Sequence, residues 1–135
     1  MADSPVSSNG AKVVLDGYDV VSYFCGTGPE KGRSRWVTWY QGVAWRFASA
    51  ENKAKFDADP EKYLPKFGGY CAFAVAAGKV IKGAGKYGAV IDGKLYFSVN
   101  RRIKQRYLDD PASYNSQAEE NWQAVQEKIR QSQKS

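Results

Sequence analysis

Residues 88–99 read GAVIDGKLYFSV, two β-prone runs joined by Asp92-Gly93. An Asp-Gly pair suits the type I′ turn of a two-residue hairpin loop, and Val90, Ile91, Leu95, Tyr96 and Phe97 suit a pleated surface. The stretch therefore predicts a β-hairpin. On its C-terminal side Asn100 is placed to cap a helix over RRIKQRYL, and Asp109-Asp110-Pro111 breaks that helix. Ser116 and Glu119 then have capping-box spacing, which predicts a final helix from there to about Gln131.

Toward the N-terminus the same logic finds a second hairpin. WVTWY and VAWRFA flank Gln41-Gly42, and both runs are aromatic and β-branched. Ser49 reads as the cap of a helix over AENKAKFDA with Phe56 on its buried side, and Asp59-Pro60 restarts a short helix carrying Tyr63 and Leu64. YCAFAVAAG reads as a short apolar helix that Gly78 can end. Nearer the start, Asp16 or Asp19 can cap a helical turn that carries Val20, Val21 and Phe24 inward, ahead of a glycine-rich charged loop, CGTGPEKGRSR. With no internal repeat and no long linker, these elements predict one small α+β domain: hairpins form an antiparallel sheet and helices cover one face.

Composition agrees with a folded domain. The chain has 135 residues, of which 43% are hydrophobic, 14% aromatic and 25% charged, and no apolar run approaches the roughly 18 residues of a membrane span. The opening MADSPVSSNGAK has no apolar segment of the signal-peptide kind and reads as a flexible lead-in. Histidine is absent altogether, which removes Ser-His and Cys-His catalysis together with the commonest metal ligand.

Candidate functional residues are few. GAGKYG, residues 83–88, matches G-x-G-x-x-G by letter, but that motif works through a helix N-terminus after the glycines and here the strand AVI follows. The acids each have a structural role: Asp57, Asp59 and Glu61 surround a helix break, Asp109 and Asp110 precede a proline, and Glu119 and Glu120 open a helix. Cys71 leaves three readings open. It is a buried packing residue among alanines, or a thiolate favoured by a helix start, or half of a bridge to Cys25, the other cysteine. The aromatics concentrated in the first half of the chain, among them Tyr18, Tyr23 and Tyr70, are core filling or the lining of a cleft.

Charge is concentrated too. Lys79, Lys82, Lys86, Lys94, Arg101, Arg102, Lys104 and Arg106 face the single acid Asp92 within residues 79–106, a surplus greater than the +6 of the whole chain. Such a stripe is either a solvated face or a docking surface for an acidic partner; nucleic acid is the less favoured partner.

One longer stretch, RFASAENKAKFDADPEKYLPKFGGYCAFA, together with LDGYDVVSYF before it and DGKLYF and NW after it, resembles the YHS-domain proteins, specifically the small stand-alone kind usually made as exported precursors. The likeness runs from about Val13 to Val125. It implies a YHS-like domain over residues 13–126, with 1–12 as lead-in and 127–135 as helix end and tail, and the mature form of an exported or organelle-imported protein. It also implies kinship with metal-associated modules in which copper or zinc is possible. Their phenylalanine-cysteine-serine-x-x-cysteine pattern is Phe47-Ala48-Ser49-Ala50-Glu51-Asn52 here, so both expected ligand positions, Ala48 and Asn52, lack sulfur and Cys71 at most could serve a metal. Gly68-Gly69-Tyr70-Cys71 and Gly17-Tyr18-Asp19 match the stand-alone branch, whereas Val20 stands where proline is usual.

The expectation from sequence is a non-enzymatic binding or accessory domain with a cleft near Tyr18, Asp19, Tyr23, Tyr70 and Cys71, taking a metal or a small molecule. The alternatives are a thiol redox protein using Cys71 and a docking module that sets Lys79, Lys82, Lys86, Arg101, Arg102, Lys104 and Arg106 on a larger complex.

Overall fold

The computed structural model describes residues 6–9, 12–25 and 28–133. Both hairpins form. Strands β1 (Arg33–Tyr40) and β2 (Val43–Phe47) meet at Gln41-Gly42, and β3 (Gly88–Ile91) and β4 (Lys94–Phe97) at Asp92-Gly93. All four turn residues have positive φ, as the type I′ loop requires. The helices are α1 (Ala50–Ala58), α2 (Pro60–Tyr63), α3 (Ala72–Ala76), α4 (Arg101–Asp109) and α5 (Pro111–Gln133), with short 3-10 turns between several elements.

Three of the expected caps close as the sequence suggests. The Ser49 hydroxyl accepts from the Asn52 amide at 3.1 Å, Asn100 Oδ1 accepts from the Ile103 amide at 2.8 Å, and Asp19 caps the 3-10 helix Val20–Phe24. The last helix differs from expectation. It begins at Pro111, five residues before Ser116, and Asp110 Oδ1 accepts from the Ser113 amide at 3.2 Å. Asp-Pro joins a capping carboxylate to a residue preset for a first helical position, and Ser116 is left exposed inside the helix.

The class is α+β, but the hairpins do not share one sheet. β1 pairs only with β2, and β3 only with β4. The edges that could have joined them are occupied by irregular chain. The Val14 amide donates to the Ala44 carbonyl at 2.9 Å along the outer side of β2, while Pro65 and Cys71 bridge to Leu95 and Phe97 along the outer side of β4. A strand whose edge is already satisfied has nothing left with which to extend a sheet.

Strand alternation then makes β4 the middle of the molecule. Leu95 and Phe97 enter a core with Val14, Val20, Val21, Trp45, Phe47 and Phe56, whereas Tyr96 between them enters a second core with Phe67, Tyr107, Ala118, Val125 and Ile129. Helices thus do not simply blanket one side of the second hairpin; its inner strand is covered on both faces. Helix α5 also completes α3: Asn121 Nδ2 donates to the carbonyls of Val75 and Ala76 at 3.2 and 2.9 Å, and Lys128 Nζ to that of Gly78 at 2.8 Å. These are carbonyls that a short helix leaves without partners of its own.

Candidate functional site

Asp19 ends an extended segment and begins the Val20–Phe24 turn, so its carboxylate faces the first exposed amides of that turn. Oδ1 accepts from Val21 N at 2.8 Å and from Ser22 N at 3.3 Å. The other oxygen reaches much farther along the chain. Oδ2 accepts from the Ala48 amide at 2.8 Å and from Asn52 Nδ2 at 2.8 Å, at the point where β2 passes into α1. The side chain is fully buried, and no cation pairs with it among the described residues.

Tyr18 and Tyr23 flank Asp19 and are half-buried. Lys31 Nζ lies 5.1 Å from the Tyr18 ring centroid, and the Tyr23 ring stands edge-on to Phe97 with centroids 5.3 Å apart. Over both tyrosines runs the GAGKYG loop. The Tyr23 hydroxyl donates to the Gly85 carbonyl, and burial, with Tyr18 and Asp19 nearby, pushes its pKa far above the usual tyrosine range. A Cβ on Gly85 would collide with the Tyr18 ring, and one on Gly88 would come within 2.7 Å of Tyr23 Cε1 and 2.8 Å of Phe97 Cε1. The glycines of this motif therefore admit tyrosine rings close to the backbone. No α-helix follows them, since β3 does.

The glycine turn at residues 68–71 lies deeper. Tyr70 and Cys71 are buried, Cys71 to 1% exposure, and the Cys71 amide donates to the Ile81 carbonyl at 2.8 Å. Burial also raises the Tyr70 pKa. The Ser7 amide donates to the Gly68 carbonyl at 2.7 Å, so chain from the N-terminal segment rests on this turn. Cys25 and Cys71 are both free thiols, Cys25 exposed beside Lys55 Nζ at 3.8 Å, which removes the bridge between them. Phe97 connects the two halves of the expected site: it contacts Tyr23 on one side and bridges to Cys71 on the other. Tyr23 and Cys71 thus lie against the same residue of β4, with Asp19, Tyr70 and Cys71 enclosed and Tyr18 and Tyr23 partly open.

Residues 20–66 match the family model of the YHS domain. That segment is similar to a YHS domain. The match takes in β1, β2, α1 and α2 and ends just before the Gly68–Cys71 turn. No curated protein and no solved structure matches the chain.

The YHS resemblance raises the question of metal, and the donor set answers it locally. Ala48 has no side-chain donor atom, and Asn52 spends its carboxamide N–H on Asp19. Both Asp19 oxygens are engaged by hydrogen bonds. Among the described residues no three of His, Cys, Asp and Glu stand together in a group able to hold an ion. A copper or zinc centre at positions 48 and 52 does not fit these residues, because soft thiolate ligands are what such a pair would need.

Sequence reasoning found Asp19 as a cap and missed its second role. The YHS likeness marked Ala48 and Asn52 as expected ligand positions, but nothing in the sequence signalled that the Ala48 amide and the Asn52 carboxamide would donate to Asp19. The remaining candidates, the cations of residues 79–106, divide. Lys82 Nζ donates to the Ser8 carbonyl at 2.7 Å, Lys104 Nζ to Gly88 at 3.0 Å, and the Arg106 guanidinium stacks over Phe73. Lys79, Lys86, Arg101 and Arg102 are exposed, and their charged groups have neither ion pair nor hydrogen bond among the described residues.

Proposed function

We propose that this protein is a non-enzymatic accessory domain that docks on an acidic surface of a larger partner through its basic 79–106 segment. The observation carrying this reading is the set of exposed, unpaired cations Lys79, Lys86, Arg101 and Arg102, in a chain where the more reactive candidates are enclosed. The Lys104–Gly88 contact draws the start of α4 to the start of β3, which gathers Lys86, Arg101, Arg102 and Lys104 around one end of the second hairpin. Four uncompensated charges raise the local potential and attract polyanions or acidic proteins.

The ligand reading at Tyr18, Asp19, Tyr23, Tyr70 and Cys71 has less support, since three of the five are buried and Asp19 already has four hydrogen-bond donors. The redox reading has less again, because a thiol at 1% exposure cannot be attacked without opening the fold.

The test is charge reversal. Binding to immobilised poly-glutamate is measured for the wild type, for K79E/K86E/R101E/R102E, and for a charge-matched control that reverses four exposed cations elsewhere, Lys12, Arg33, Lys55 and Lys62. The first variant is expected to lose at least tenfold in affinity while the control stays within about threefold, since each unscreened charge contributes modestly. Equal losses in both variants would mean that only net charge matters, and the docking surface would be abandoned.

A further inference from the structure

We propose that the Asp19 carboxylate, rather than a metal ion, ties the Val20–Phe24 turn to the β2–α1 junction, so that the domain closes as a metal-free lock. The geometry is specific. Asp19 Oδ2 receives the Ala48 amide and the Asn52 carboxamide at 2.8 Å each, and these are the two positions where sulfur would be expected. Asp19 Oδ1 meanwhile holds Val21 N and Ser22 N.

One buried side chain therefore ties the Val20–Phe24 turn to the β2–α1 junction. The carboxylate links two segments because its two oxygens face opposite ways, Oδ1 to the turn and Oδ2 to the junction. Its charge is balanced by N–H dipoles alone, three from backbone and one from Asn52. Hydrogen bonds to an ionised acceptor are the strong class, and here both segments are buried around it, Val20, Val21 and Phe47 on the core side. An incoming cation would have to take the carboxylate oxygens from their N–H donors and leave the buried Ala48 amide without an acceptor. Asn52 is the adjustable half of the lock: unlike a backbone amide it can be removed without changing the main chain.

The experiment uses the full chain in a Cys25→Ser background, which removes the exposed thiol as a competing metal site. After treatment with a chelator, thermal unfolding is followed with no metal, with one equivalent of zinc and with one equivalent of copper(I). The midpoint is expected to stay within about 1 °C throughout, since an ion that binds the native state must raise it. Asn52→Ala is expected to lower the midpoint by roughly 5–10 °C, the loss of one hydrogen bond to a buried charge. Asp19→Asn with Asn52→Ala together should cost clearly less than the sum of the two single changes. A midpoint raised by either metal and no longer raised after Asn52→Ala or Asp19→Asn would overturn the proposal, as it would make this a metal site. Strictly additive losses would overturn it as well, by showing that the two side chains do not act as a pair. Should Asp19→Asn fail to fold, the metal titrations and Asn52→Ala still decide: an unchanged midpoint with metal and a loss in Asn52→Ala support the lock, while a midpoint raised by metal and no longer raised in Asn52→Ala, or an unaffected Asn52→Ala, sinks it.

Discussion

Gly85 shows how a single residue type can be read correctly by letter and still serve another purpose. Its contact with the Tyr18 ring leaves no room for a side chain, so Gly85→Ala is expected to destabilise the protein by about 1–3 kcal/mol through overpacking, measured from the denaturant midpoint. Gly42, at the tip of the first hairpin, has nothing within 4 Å of an added Cβ, so Gly42→Ala should cost only the backbone strain of its positive φ, about 1 kcal/mol. Similar losses at the two positions would mean that the loop moves off the tyrosines readily. Cysteine reactivity separates the two thiols in the same way. One equivalent of N-ethylmaleimide should react in the native protein, at Cys25, and a second only in denaturant, at Cys71. Native labelling of Cys71 would favour the alternative of a thiol redox protein.

Among the elements, those with a complete local code were legible. Gln41-Gly42 and Asp92-Gly93 specify their hairpins because a two-residue loop accepts little else, and Ser49 and Asn100 cap their helices through atoms three residues away. The start of α5 was misplaced because two start signals lie five residues apart and the sequence does not rank them. Helix α3 poses a different problem: five residues are too few to be stable alone. Its C-terminal carbonyls depend on Asn121, more than forty residues on, so the NW pair that belongs to the family likeness is structural here, with Trp122 packed on Phe67 at 5.5 Å between centroids. Asn121→Ala should cost about 1–2 kcal/mol and speed amide exchange in α3 well ahead of the first hairpin. Uniform acceleration across both hairpins would show instead that α3 does not open on its own.

For the molecule as a whole, the division of charge and burial sets the behaviour. The acids that form ion pairs sit on α1 or α5, in Lys53–Asp57, Lys66–Glu119 and Arg130–Glu127, and none serves the cations of residues 79–106 among the described residues. Docking through that segment should therefore weaken as salt rises from roughly 50 to 200 mM, over which the screening length falls below the spacing of surface charges. Binding that ignores salt would point to an apolar surface instead, such as the one around Trp39, which is 66% exposed.

The amino-acid sequence by itself determined the α+β class, both hairpins, most helix starts and the absence of histidine chemistry, because each rests on residues within a few positions of one another. Only the tertiary structure decided that the hairpins stay in separate sheets, that β4 runs between two cores, that Cys71 is enclosed, and that Asp19 closes on Ala48 and Asn52. Those outcomes depend on which distant segment reaches a strand edge or a buried oxygen first. An unsatisfied N–H or carboxylate specifies that it must find a partner, and the packing of the chain selects which one.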